Sequence, residues 1–196
     1  MELALLYSGG KDSSLAALVL DEFYDVTLVT AHFGITDDWQ HAQAAADALG
    51  FPFEIVPLDD TVAEAAVDQM ADDGFPRNGI QRVHDHALET VAGLDFDAIA
   101  DGSRRDDRVP TVSRATAQSL EDRHGVDYIA PLAGFGRHAV DALVADCFEV
   151  ETGPSEAVPK ADYEGELRAV LADRYGEDAI SDVFPDHEQT YVHDRQ

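Results

Sequence analysis

The sequence predicts an α/β protein: a three-layer sandwich in which a mainly parallel five-stranded sheet carries helices on both faces. Three observations predict it. Short apolar runs alternate with longer helix-period segments along most of the chain, and such alternation closes as a parallel sheet covered on both sides. The first run leads straight through a glycine pair into an Ala/Leu-rich segment, which opens a strand-loop-helix unit. A length of 196 residues suits one domain of this kind with a short C-terminal appendage, and leaves no room for a second large one.

Leu3 to Tyr7 reads as the first strand and Ser13 to Phe23 as the helix after it. Val26 to Phe33 is a second strand. Asp38 to Leu49 is a helix whose Ala42, Ala45, Ala46 and Leu49 share one face, with Gly50 as its stop. Phe53 to Leu58 makes a third strand, followed by helices over Thr61 to Ala71 and Ile80 to Ala92 on either side of the Pro76, Asn78, Gly79 loop. Phe96 to Ala100 is a fourth strand, Thr111 to Arg123 a helix with Pro110 near its first turn, and Tyr128 to Ala130 a short fifth strand. Arg137 to Ala145 and Asp162 to Tyr175 are helical, with an additional strand at Phe148 to Val150. After Pro185 the composition suggests a loose tail. Residues 1–150 thus form the expected core, and 151–196 a helical extension and tail.

Acidic residues outnumber Lys plus Arg by 40 to 13, for a net charge of -27. Only two lysines occur, Lys11 and Lys160, against eleven arginines. Self-repulsion at such charge opposes a compact state in dilute buffer, and a Debye length of about 3 Å at 1 M salt removes most of that penalty. Adaptation to high salt is therefore the reading of the charge, ahead of an acidic protein from ordinary cytoplasm. The same charge, with no aromatic-basic stripe, gives nucleic-acid binding little support. Cys147 is the sole cysteine, which excludes an intrachain disulfide, a Cys-x-x-Cys pair and a multi-cysteine metal site; a buried structural thiol is expected. No basic leader or bilayer-length apolar run occurs, so a cytoplasmic protein without membrane contact is expected.

The chemistry concentrates in Ser8-Gly9-Gly10-Lys11-Asp12-Ser13, between the first strand and its helix. Ligands of open α/β sheets bind at that position. Two glycines let backbone approach an anion, the helix N-terminus favours negative charge, and Ser8, Ser13 and Lys11 add donors. A Walker A loop fails, because Leu5 and Asp12 stand where Gly and Ser or Thr are required, and the Gly-x-Gly-x-x-Gly dinucleotide spacing is also missing.

Complete from Ser8 to Ser13, this segment resembles the signature of the PP-loop ATP pyrophosphatase superfamily, the adenine nucleotide alpha hydrolase-like group of Rossmann-like fold. The segment from Gly102 through Arg104 to Asp106 and Asp107 is similar to a second element of that superfamily, which closes over the nucleotide. Pro131-Leu132 is similar to the end of its fifth strand. The resemblance spans most of residues 3–145. It implies ATP as substrate with Mg²⁺, cleavage between the α and β phosphates, and an adenylate that a second nucleophile displaces. It places the β and γ phosphates on Ser8 to Ser13, gives Lys11 and Asp12 catalytic roles, assigns Mg²⁺ to Asp12 and Asp107, and puts adenine against Ala31, His32 and Phe33. The acceptor is unidentified, and relatives use ammonia, an amine or sulfur. Related enzymes often pair, which makes a homodimer an open expectation. The opening Leu6 to Ser13 also resembles that of diphthine-ammonia ligases, without their downstream glycine-rich signature, while the cysteine clusters of many transfer RNA thiolation enzymes are missing. The competing class is a nucleotide-binding regulator without turnover, as in universal stress-like proteins.

Arg104, Arg105, Arg108, Arg114 and Arg123 crowd a twenty-residue window. Each is weighed equally as an anion ligand or a partner of nearby aspartates, with Arg104 favoured for substrate. Lys160 is a candidate ligand against an incidental lysine in a turn. His84 and His86 stand two apart on a helix and cannot share a face, which argues for ordinary histidines rather than a metal pair.

Overall fold

Four apolar residues in succession make β1 (Glu2–Leu6) a strand buried on both faces, and the computed structural model, which describes residues 1–196, sets it at the centre of the sheet. Leu3 and Leu5 point into one core cluster and Ala4 and Leu6 into another, as the two-residue period of a strand requires. Around it lie β2 (Asp25–His32), β3 (Phe53–Pro57), β4 (Ala98–Ala100) and β5 (Asp127–Ile129), all parallel, in the order β3-β2-β1-β4-β5. The order reverses between β1 and β4, and a reversal of this kind opens a crevice at the carboxyl ends of the two strands.

Helices α1 (Lys11–Asp21), α2 (Trp39–Leu49) and α6 (Arg137–Cys147) cover the Leu3 face. Helices α3 (Asp60–Asp73), α4 (Arg77–Ala92), α5 (Arg114–His124), α7 (Tyr163–Tyr175) and α8 (Asp178–Val183) cover the Ala4 face. The expected stripe of α2 is the buried one, Ala42, Ala45, Ala46 and Leu49, and Gly50 ends the helix. No helix is long and apolar enough to cross a membrane. Cys147 is a free, half-buried thiol packed against the first core cluster.

Several sequence expectations need correction. The loop expected at Asn78 and Gly79 is the first turn of α4, which starts at Arg77 after Pro76 and buries Gly79 against Met70. The helix expected from Thr111 begins at Arg114, because Ser113 takes the cap position and its Oγ accepts the Thr116 N–H at 3.1 Å. Thr111 instead donates its N–H to Gln81 Oε1 at 2.9 Å, which leaves Pro110 outside the helix. The tail expected after Pro185 is strand β7 (Glu188–Arg195), antiparallel to β6 (Phe148–Pro154), and β6 itself runs past the expected end at Val150. Only Tyr191 and Val192 of β7 are buried, so its mostly polar sequence hides the strand. Tyr191 and Val192 join the Leu3-side core.

Candidate functional site

The loop from Ser8 to Gly10 follows β1 and crosses the end of the crevice. Gly9 holds a φ of 80°, a left-handed conformation that glycine adopts without penalty. The loop carbonyls are spent on the C-terminal part of the chain: Ser8 O accepts Ala161 N–H at 3.2 Å and Gly9 O accepts Val192 N–H at 3.0 Å. Its amides are not. The N–H groups of Ser8, Gly9 and Gly10 donate to no protein acceptor, and α1 begins at Lys11, with Gly10 in the cap position and no side-chain cap. Free amides at a helix N-terminus form an anion cradle.

The second wall comes from β4. Gly102 approaches so closely that a Cβ there would lie 2.9 Å from Ser13 N and 3.0 Å from Ser13 Cα. Between the walls lies a cavity of about 450 Å³, lined in part by Ser8, Asp12, Ser13, Ala31, Gly102 and Asp107. A larger open groove of about 680 Å³ lies elsewhere, around Glu2, Asp25, Glu54 and Asp95. It lies at the amino-terminal ends of β1 and β2, opposite the Ser8 to Ser13 loop.

The expected site residues thus divide. Ser8, Asp12, Ser13, Ala31, Gly102 and Asp107 line the cavity, whereas Gly9 and Gly10 sit beneath β7, against Tyr191 and Thr190. Lys11 Nζ pairs with Asp12 Oδ1 at 2.8 Å and with Asp141 of α6 at 3.1 Å. His32 faces Trp39, and its Nδ1 is buried without a partner. Phe33 gives its N–H to Glu166, which also accepts Ile35 N–H at 2.9 Å, so this amide is already engaged. Arg104 forks onto Asp107 Oδ1 at 3.0 and 2.6 Å and reaches Asp12 Oδ2 at 3.5 Å. Lys160 bonds Ser155 Oγ at 2.6 Å and Glu164 at 3.1 Å, and Arg123 bonds Glu89 at 2.7 Å.

Asp12 and Asp107 share Arg104, and no group of three or more His, Cys, Asp or Glu side chains converges to hold a metal. Either carboxylate would have to release the guanidinium before ligating Mg²⁺.

Two networks in the cavity wall escaped the sequence reading. Glu164, next to the α7 cap Asp162, accepts from Ser155 Oγ at 3.0 Å, Lys160 Nζ at 3.1 Å, Arg168 Nε at 2.7 Å and His187 Nε2 at 3.1 Å. Burial would raise its carboxyl, but the charge and hydrogen bond of Lys160, with His187 and Arg168, outweigh it and hold the group below the usual carboxylate range. A depressed carboxyl contributes stability that is present above its unfolded pKa and lost as pH falls through its folded value. Glu164→Gln is expected to cost about 3 kcal/mol near neutrality, because it strands buried cations. It should also flatten the loss of stability on acidification below about pH 4, which denaturant melts of both proteins across the acid range would read.

The other network joins His84 of α4 to Asp101, the residue after β4. Both are buried, and His84 Nε2 lies 3.0 Å from Asp101 Oδ2. The signal was present in the sequence: His84 falls among Ile80, Val83, Ala87, Leu88 and Val91, so an ionisable residue interrupts an apolar stripe.

Comparison with known proteins agrees with this architecture and leaves the chemistry open. The crystal structure of a predicted subunit of tRNA methyltransferase from Methanocaldococcus jannaschii superposes with a TM-score of 0.91 at 38% identity, covering 100% of this chain and 98% of that one. An uncharacterized protein of Methanocaldococcus jannaschii is 40% identical over 193 residues, which is 98% of this chain and 95% of the relative. A family model matches residues 1–194, and on that match the chain belongs to a family of unknown function, DUF7411.

Proposed function

We propose that the protein binds ATP at the Ser8 to Ser13 loop and cleaves it to AMP and pyrophosphate, adenylating a substrate from which a second nucleophile then displaces AMP. The support for this reading is the free Ser8, Gly9 and Gly10 amides ahead of α1, beside a cavity of about 450 Å³ that Ser8, Asp12 and Ser13 line. In this reading the β and γ phosphates lie on the loop amides, with Ser8 and Ser13 as hydroxyl donors. A substrate oxygen attacks the α phosphorus and the bond to pyrophosphate breaks. The amides stabilise charge on the leaving group, with Lys11 once it turns from Asp141. Mg²⁺ bound with the ATP phosphates would supply neutralising charge, and Asp12 and Asp107 are the side chains that would hold it. Arg104 holds Asp12 and Asp107 apart from that role until it moves.

The solved Methanocaldococcus jannaschii protein is described as a predicted subunit of tRNA methyltransferase, and this supports a nucleoside of transfer RNA as the adenylated acceptor. A chain of net charge -27 would then need high salt or a basic partner subunit to meet RNA. The test is incubation with ATP labelled at the α phosphate, Mg²⁺, unfractionated transfer RNA and an ammonium salt in molar KCl. Labelled AMP is the expected product, lost in Asp12→Ala. Labelled ADP would contradict the reading. A second reading, a nucleotide-binding regulator without turnover, draws support from Arg104 occupying both carboxylates; it predicts ATP binding with neither product.

A further inference from the structure

Asp101 and His84 are 2% and 4% exposed, and both line the cavity onto which the phosphate loop opens. Asp101 Oδ1 accepts the Ser103 N–H at 2.9 Å, and Oδ2 accepts the Tyr128 hydroxyl at 2.9 Å beside His84 Nε2 at 3.0 Å. Burial would raise the Asp101 carboxyl, but hydrogen bonding and charge from His84 and the Ser103 bonds hold it below its ordinary range. An ionised carboxylate only accepts, so the imidazole proton belongs on Nε2 and the lone pair on Nδ1. The partner of Nδ1 is the Tyr163 hydroxyl at 3.4 Å, longer than the roughly 2.7–3.2 Å of a well-formed bond. Asp101 immediately precedes Gly102, whose backbone touches Ser13, so this pair is tied to the phosphate loop through one residue. Packing alone asks for an apolar residue at this place in the α4 stripe. Instead the fold holds an oriented imidazole with a weakly used acceptor on the cavity wall.

Resting on the adenylation reading above, we propose that the Asp101–His84 pair is the proton acceptor of the second half-reaction, His84 Nδ1 taking the proton of a nitrogen nucleophile as it displaces AMP. The nitrogen–carbon bond forms, and the carbon–oxygen bond to AMP breaks with its electron pair leaving on the phosphate. The nitrogen proton passes to Nδ1 and from there to water. Asp101 fixes the tautomer and stabilises the imidazolium, the role of the carboxylate in a hydrolase triad. Asp101 and Tyr163 face the imidazole; Tyr128 shares Asp101 Oδ2, Asp85 adjoins His84 on α4, and Asp162 precedes Tyr163 in the chain.

Two measurements test the assignment. Nitrogen-15 NMR of histidine-labelled wild-type protein in molar KCl, with His84→Gln to assign the resonance, is expected to show Nε2 protonated and Nδ1 bare; a proton on Nδ1 overturns the assignment without reference to any acceptor. With α-labelled ATP, Mg²⁺, unfractionated transfer RNA and ammonium chloride, ATP–pyrophosphate exchange and AMP release are read on the same samples. His84→Gln is expected to lower AMP release about 100-fold more than exchange. It should also abolish the rise of AMP release with pH, and added imidazole should restore part of the release in His84→Ala. Parallel losses in the two rates overturn the assignment and leave adenylation standing. A wild-type protein with no exchange overturns adenylation and this assignment with it.

Discussion

Removal of Asp186 to Gln196 is expected to cost the protein both its stability and its affinity for ATP. Strand β7 covers the underside of the phosphate loop. Val192 N–H donates to Gly9 O at 3.0 Å, Thr190 Oγ1 accepts Lys11 N–H at 3.4 Å, and the Tyr191 hydroxyl donates to His41 O at 3.0 Å. Tyr191 and Val192 are buried, and the strand shields the fully buried Phe148 across the β6–β7 pair. Losing the burial of two such side chains costs about 2 kcal/mol each, and uncovering Phe148 adds to it. A loss of about 5 kcal/mol compares with a total stability of roughly 5–15 kcal/mol for a domain. Denaturant melts and ATP titrations in molar KCl check both halves. A truncated chain that melts like the full protein and still binds ATP would show that β7 is dispensable.

The second large effect is expected from one methyl group. In Gly102→Ala the new Cβ meets Ser13 N at 2.9 Å, Ser13 Cα at 3.0 Å and the Asp12 carbonyl carbon at 3.1 Å, all of them backbone. No side chain can swing aside, so either α1 or the end of β4 must move. Overpacking of this kind costs about 1–3 kcal/mol, and the displacement falls on the amides proposed to hold phosphate. ATP affinity should drop by at least about tenfold, since each 1.4 kcal/mol is a factor of ten. Calorimetry against the wild type reads this, and an unchanged affinity would mean that the nucleotide does not use the first turn of α1.

The parallel sheet was legible because both faces of β1 are buried, so Leu3 to Leu6 read as an unbroken apolar run. The α2 stripe was legible through its period, and the phosphate loop through its glycine pair at the end of a strand. What escaped notice depends on distant partners. Strand β7 is defined by pairing with β6 more than thirty residues earlier, and its exposed positions are polar. Helix α5 starts late because Ser113 and Gln81 compete for the residues after Pro110. Pairing of Arg104 with Asp12, of Lys11 with Asp141, and of Glu166 with the amides after β2 joins segments whose adjacency only the fold supplies, whereas the Arg104–Asp107 pair is local and was one of the two readings the sequence offered. The Asp101–His84 pair was half visible, since a histidine in an apolar stripe announces a buried partner without naming it.

The central claim, that the Ser8 to Ser13 loop is a phosphate site continuous with a nucleotide cavity, is tested most directly by calorimetric titration of wild-type protein in molar KCl. ATP and pyrophosphate are titrated separately and then in competition. The account predicts that both bind, that pyrophosphate displaces ATP, and that adenosine alone binds more weakly than ATP. Absence of ATP binding, or ATP and pyrophosphate binding without competition, would contradict it.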